Sequence, residues 1–131
     1  PLSPELREEC RRLDTISRQT QLICREKLDT AEAVADFIGG KQAEMKELGA
    51  VRQKCYNRLR RCDNEAEIAQ IKAQRDRLTA AMTVCRKDIK TAEGVLSRSD
   101  RLKENLKREQ EMQAQRMGRT QDRRRERSVA K

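Results

Sequence analysis

The side chains that most often perform chemistry in proteins are scarce in this sequence. Its 131 residues include no histidine, and its five cysteines (Cys10, Cys24, Cys55, Cys62 and Cys85) are widely spaced, with no Cys-X-X-Cys pair. Acid-base catalysis near neutral pH and nucleophilic cysteines usually depend on histidine, and zinc would need thiolates brought together from distant positions. The sequence therefore predicts no enzyme activity, no cofactor and no metal site for this segment.

Two other kinds of site are also poorly supported. Carboxylate pairs such as Glu44 with Glu47 or Glu65 with Glu67 fit solvated helix faces and first-turn charges better than a catalytic dyad. Gly39-Gly40 is not followed by the Gly-Lys-Ser/Thr sequence of a phosphate-binding loop. The odd number of cysteines argues against a complete disulfide framework and favours a reducing, cytoplasmic compartment.

Arginine is the residue type whose pattern indicates a partner. The net charge is +9, and residues 98–131 carry 12 basic and 6 acidic side chains, against 19 and 16 in residues 1–97. Such an imbalance is typical of contact with an anionic partner, either nucleic acid or an acidic protein surface. It also occurs in solvated tails that keep a protein in solution, and the sequence leaves both interpretations open.

Phosphate contacts are predicted for two groups of arginines, one near the middle of the chain and one at its end. Their members are Arg58, Arg60, Arg61, Arg116, Arg119, Arg123, Arg124, Arg125 and Arg127.

The elements that would position these arginines are helices. Charged residues make up 40% of the chain and aromatic residues 2%, and only five glycines and two prolines interrupt it. This composition favours long helices with aliphatic stripes over sheets, and no apolar run approaches the ~20 residues needed to span a bilayer. We expect an all-α fold: an elongated antiparallel helical bundle built on a long coiled-coil-like hairpin, with flanking N-terminal and C-terminal helices.

Capping residues give the helix boundaries. Ser3 with Pro4, Asp29 or Thr30, Asp63 or Asn64, and Ser99 are predicted to begin four helices. The predicted helices cover about 4–28, 31–62 with a kink or short break at 39–40, 65–96, and 100–117. Together they form a predicted bundle over 1–117, followed by a basic mobile tail over 118–131.

Apolar residues at steps of three and four give the predicted packing faces. The face of the first helix is Leu6, Cys10, Leu13, Ile16, Thr20, Ile23, Cys24 and Leu28, and the seam of the third is Ile68, Ile71, Arg75, Leu78, Met82, Cys85, Ile89, Ala92 and Leu96. Arg75 either pairs with Glu47 or Asp63 across the hairpin or lays its stem on apolar surface with its head in water. The seam cysteines are expected to pack as small hydrophobes.

Three stretches in the order 16–32, 58–74 and 85–106 carry a resemblance to a known family. They include Ser-Arg-Gln-Thr-Gln-Leu-Ile-Cys-Arg-Glu-Lys-Leu, Arg-Leu-Arg-Arg-Cys-Asp-Asn-Glu-Ala-Glu-Ile, and Ser-Arg-Ser-Asp-Arg-Leu-Lys-Glu-Asn-Leu. Over roughly residues 4 to 108 the chain resembles the C-terminal helical region of relaxases, the mobilisation nucleases of conjugative elements in Firmicutes. Gly39-Gly40 departs from the strong helix formers expected there.

The resemblance implies that the catalytic part, with its DNA-nicking tyrosine and histidine-bound metal, lies upstream in a longer protein. None of those residues carries over, and Tyr56 is not assigned the nicking role. The first hypothesis is a non-catalytic relaxase module that contacts the DNA backbone or other proteins of the relaxosome. The alternative is an interaction or dimerisation coiled coil, or a spacer with no nucleic-acid role. Monomer and homodimer both remain open, and no membrane partner is expected.

Overall fold

A computed structural model describes residues 1–129, and the side chains of residues 1–127. It contains three helices, α1 (Pro4–Glu26), α2 (Ala31–Arg61) and α3 (Glu65–Val129), and no strand within the described range. The predicted all-α fold with a long helix pair is therefore confirmed. The chain divides into two compact units, Pro1–Leu96, here called the bundle, and the part from Ser97 onward. Residues 97–129 of α3 are here called the arm.

Side-chain caps begin each helix where the sequence predicts a start. Ser3 Oγ accepts a hydrogen bond from the Leu6 amide at 3.3 Å, Thr30 Oγ1 accepts from Ala33 at 3.0 Å, and Asn64 Oδ1 accepts from the Ala66 amide at 3.0 Å. Each bond satisfies an amide that has no partner within its helix. The α1 helix ends at Lys27, whose left-handed backbone (φ 54°) turns the chain toward α2.

The helices α2 and α3 pack as an antiparallel hairpin within one chain. All nine predicted seam positions of α3 are buried or half-buried, with Ile71, Cys85 and Ala92 the least exposed. Across the seam, Arg52 Nη1 donates to Thr79 Oγ1 at 3.4 Å, and a Cβ at Gly49 would lie 3.7 Å from Met82. The seam of α3 therefore packs against α2.

Where α1 joins the hairpin, Leu22, Leu28, Val34 and Ala92 form a buried core cluster. The predicted face of α1 is largely wrong, because Gln19 and Leu22 are its buried residues while Leu6 and Leu13 are 55% and 58% exposed. Cys10, Thr20 and Cys24 are exposed too. The reason lies on α3: Gly94 has no side chain, and a Cβ there would lie 2.8 Å from Gln19 Nε2. This close approach selects the face that contains Gln19.

The predicted break at Gly39-Gly40 is wrong, since α2 is continuous through both glycines. Each glycine in a helix costs roughly 1 kcal/mol against alanine. The residues on either side pack into the bundle, with Val34 buried and Phe37, Ile38, Met45 and Leu48 half-buried. Tertiary packing of these residues outweighs the local cost.

The predicted ends of the last two helices are also wrong. No cap forms at Ser99, because α3 runs through Ser97–Asp100 and then through Gly118 to Val129. This stretch has no proline and only one glycine, and it is rich in Arg, Lys, Glu, Gln and Leu, which sustain a helix. The predicted tail is thus helical as far as Val129. Its last two residues, 130 and 131, lie outside the described residues, and its mobility stays a prediction.

Candidate nucleic-acid interface

The arm is exposed along its whole described length. Between residues 97 and 127 only Ser99 and Gly118 are half-buried, and every other residue is exposed. Leu102 and Leu106, the apolar positions predicted to pack, are 62% and 57% exposed. The surface of the arm is therefore open to a ligand on all sides.

Helical geometry gathers four of the predicted arginines into one row. Arg116, Arg119, Arg123 and Arg127 follow one another at steps of three, four and four residues. At about 100° of rotation and about 1.5 Å of rise per residue, their Cα atoms lie within an arc of about 80° and a length of about 16 Å. Because the sequence predicts a mobile tail over 118–131 and not a continued helix, it identifies the individual arginines but not the row.

The two remaining predicted arginines of the arm lie off this row. Arg124 is on one flank of the helix, and Arg125, one residue later, is on the side opposite the row. The acidic residues of this segment, Asp122 and Glu126, lie on the other flank. Within the described side chains, none of the six arginines from Arg116 to Arg127 makes an ion pair or a side-chain hydrogen bond.

The arginines at the hairpin end have a different environment. Arg58, Arg60 and Arg61 occupy the last turn of α2, where cations stabilise the negative end of the helix. Arg58 Nη2 lies 3.6 Å from Glu67 Oε1, with both side chains more than half exposed, so this ion pair contributes little to stability.

An open depression of about 420 Å³ at this end is lined by Arg58, Arg61, Cys62, Asp63, Asn64 and Glu67. Asp63 and Glu67 offset the positive charge there. The two predicted groups of arginines thus belong to different units, and the group in the bundle has a structural explanation that the arm row lacks.

The predicted partners of Arg75 are not the ones it has. Its guanidinium lies 3.1 Å from the carboxylate of Asp76, the next residue on α3, and Glu47 and Asp63 are not involved. The Arg75 side chain is 28% exposed, as expected for a stem lying on apolar surface with its head near water.

A polar cluster that links all three helices was missed by sequence reasoning. Arg25 on α1 lies 3.3 Å from Asp88 on α3, and Lys41 on α2 lies 3.1 Å from Glu44, beside Cys85. The hydrogen bonds with Asp88 and then Glu26 raise the pKa of Arg25, and the hydrogen bond with Glu44 raises the pKa of Lys41. No local signal could reveal this cluster, because Arg25 and Asp88 are 63 residues apart.

Burial raises the pKa of the Cys85 thiol, whose residue is only 3% exposed. Cys55 is buried as well, so both pack as the small hydrophobes expected of seam cysteines, and all five cysteines are free thiols. Cys85 is therefore protonated at neutral pH and contributes packing.

The described part of the chain contains neither a metal-binding cluster nor a membrane-spanning helix. Within it, no three His, Cys, Asp or Glu side chains are grouped so as to hold a metal ion. No helix in this part combines the length and the apolar character needed to cross a membrane.

Comparison of the chain with protein-family models gave no match, and comparison with curated proteins and with solved structures gave no significant match.

Proposed function

We propose that this chain is a non-catalytic helical module that binds the phosphate backbone of DNA through the arginine row of the arm. The observation that supports this function is the row itself: four guanidinium groups on one exposed helix face, with no acidic partner among the described side chains. Guanidinium groups bind phosphates strongly because their planar N–H donors match the oxygen geometry. The resemblance to relaxases suggests the setting, in which an upstream nuclease nicks DNA and this module helps to hold it.

The proposal is tested by comparing two variants that lose the same charge from different faces. The row variant carries Arg116→Gln, Arg123→Gln and Arg127→Gln. The control variant carries Lys103→Gln, Lys107→Gln and Arg125→Gln, three exposed cations that lie away from the row. Both variants have the same net charge, so a difference between them reports the face and not the charge.

Binding is measured by fluorescence anisotropy with a labelled DNA duplex over a range of salt concentrations. Each phosphate contact contributes about −0.9 to the slope of log affinity against log salt, so four contacts predict a slope of about −3.6. The row variant should bind about tenfold or more weakly, with its slope reduced by about 3. The control variant should keep the parent affinity and slope. Equal losses in both variants would mean that charge alone drives binding.

A protein partner is the second candidate, because four apolar side chains of the arm are more than half exposed: Leu102, Leu106, Met112 and Met117. Exposed aliphatic positions on a helix are typical of contact with another helix. In this case the arm is a coiled-coil partner or a spacer. A parent protein that does not bind the duplex even at low salt would support this second function over the first.

A further inference from the structure

We propose that the arm recognises double-stranded DNA of B form by lying in its major groove; the inference rests on the proposed function and specifies its ligand. An α-helix with its side chains is about 10–12 Å across, and the major groove of B-form DNA is about 12 Å wide. To enter a groove, a helix must be exposed around its circumference. The described side chains of the arm meet this condition, with Gly118 the only half-buried residue after Ser99.

The arginines of the arm extend over more than one face, as a groove requires. Arg119 and Arg124 are five residues apart, which separates them by about 140° around the helix. Arg119 points toward one phosphate wall and Arg124 toward the other. Arg116, Arg123 and Arg127 lie between them in angle, on the side that enters the groove, from which a long arginine side chain can reach the phosphates of the nearer strand. A helix lying flat on a single strand would use the row alone and leave Arg124 without a phosphate.

Arg125 is on the outward side in this arrangement, and Asp122 is more than 100° from the centre of the face that enters the groove. Glu126 lies only about 20° from Arg119 around the helix and offsets part of the positive charge on that side. The pattern also assigns opposite roles to neighbouring residues of identical chemistry. Arg124 is predicted to contact DNA and Arg125 is not.

Single-stranded nucleic acid is a poorer ligand for this surface. Proteins that bind single strands stack the bases on aromatic side chains, and the arm has none. The two aromatic residues of the chain belong to the bundle, where Phe37 is half-buried beneath Lys41, at 5.7 Å from ring centroid to Nζ, and Tyr56 lies on α2. Double-stranded RNA is excluded for a different reason, because the major groove of an A-form helix is deep and too narrow to be read by side chains.

The test uses the full chain and three labelled probes of the same sequence: a DNA duplex, an RNA duplex and a DNA single strand, at one salt concentration. We expect the DNA duplex to bind about tenfold or more tightly than either of the others. Arg124→Gln should weaken binding to the DNA duplex about threefold to tenfold, whereas Arg125→Gln should change it less than about twofold. Far-UV circular dichroism checks that both variants keep the parent helicity.

The outcomes separate the two proposals. Equal affinity for the RNA duplex or the single strand, or an equal effect of the two substitutions, would overturn groove binding and leave phosphate binding by the row in place. No binding to any of the three probes would overturn both.

Discussion

The two parts of α3 form the same secondary structure on different physical grounds. Between Glu65 and Leu96 the helix has buried residues at regular intervals, including Ile71 at 2% and Ala92 at 0% exposure. In the arm no described residue is buried. The first part is held by tertiary packing against α1 and α2. The arm is held by the intrinsic helix preference of its Arg, Lys, Glu, Gln and Leu residues.

This difference explains why the two parts suit different tasks. A packed seam leaves little surface for a ligand, and the charged groups of the bundle pair with one another, as Arg25 does with Asp88 and Lys41 with Glu44. Within the described side chains, the arginines of the arm from Arg116 to Arg127 form no ion pair. A stable scaffold and an available charged face are thus placed in consecutive segments of one helix.

The largest predicted difference between the two parts of α3 is in the cost of removing an aliphatic side chain. Ile71→Ala should lower the free energy of unfolding of the bundle by about 2–5 kcal/mol, because it leaves a cavity in the seam. Leu102→Ala, at a residue that is 62% exposed, should change it by less than about 0.5 kcal/mol. Urea unfolding followed by circular dichroism measures both. Similar losses in the two variants would show that Leu102 is packed as firmly as Ile71.

A smaller effect is predicted for replacing a helical glycine in each part. A Cβ at Gly39 in α2 or at Gly118 in the arm would have nothing within 4 Å. Alanine should therefore stabilise each helix by about 0.5–1 kcal/mol. Gly39→Ala should raise the free energy of unfolding of the bundle, whereas Gly118→Ala should raise only the helicity of the arm.

Gly94→Ala is the control for this pair, since the new Cβ would lie 2.8 Å from Gln19 Nε2 and force that side chain to shift. Gly94→Ala should therefore raise the free energy of unfolding less than Gly39→Ala does. An equally large rise in the free energy of unfolding would mean that the Gln19 side chain can shift away from residue 94 without cost.

The smallest predicted effect is a dependence on alkaline pH that is confined to the bundle. Because burial raises the pKa of Cys85, the thiol ionises at lower pH in the unfolded chain than in the folded one. Its contribution to stability is complete below the ordinary pKa of a thiol and is lost as the pH rises from about 9 toward the raised value.

The measurement is the free energy of unfolding of the parent and of Cys85→Ala at about pH 8 and about pH 10. The parent should lose stability between the two, and the variant, less stable at both, should lose less. Cys10→Ala, at an exposed residue, should keep the pH dependence of the parent. An unchanged pH dependence in Cys85→Ala would show that another group is responsible.

Much of the bundle could be predicted from the sequence because its signals are local. The caps at Ser3, Thr30 and Asn64 and the seam from Ile68 to Leu96 depend on residues a few positions apart. The packing face of α1 could not be predicted, because it depends on Gly94, which is 75 residues from Gln19 in the chain. The arginines of the candidate site were found by charge, but their row required a helix that the sequence did not predict.

The sequence by itself determined that this protein is helical, the caps at which its three helices begin, which face of α3 packs and where its excess positive charge lies. These properties follow from backbone preference, capping, periodicity and composition, which act over a few residues. The tertiary structure alone decided which face of α1 is buried, that α2 passes unbroken through two glycines, and that charges from three helices meet around Cys85 and Asp88. Those outcomes depend on packing between distant segments, which can outweigh a local preference of about 1 kcal/mol per residue.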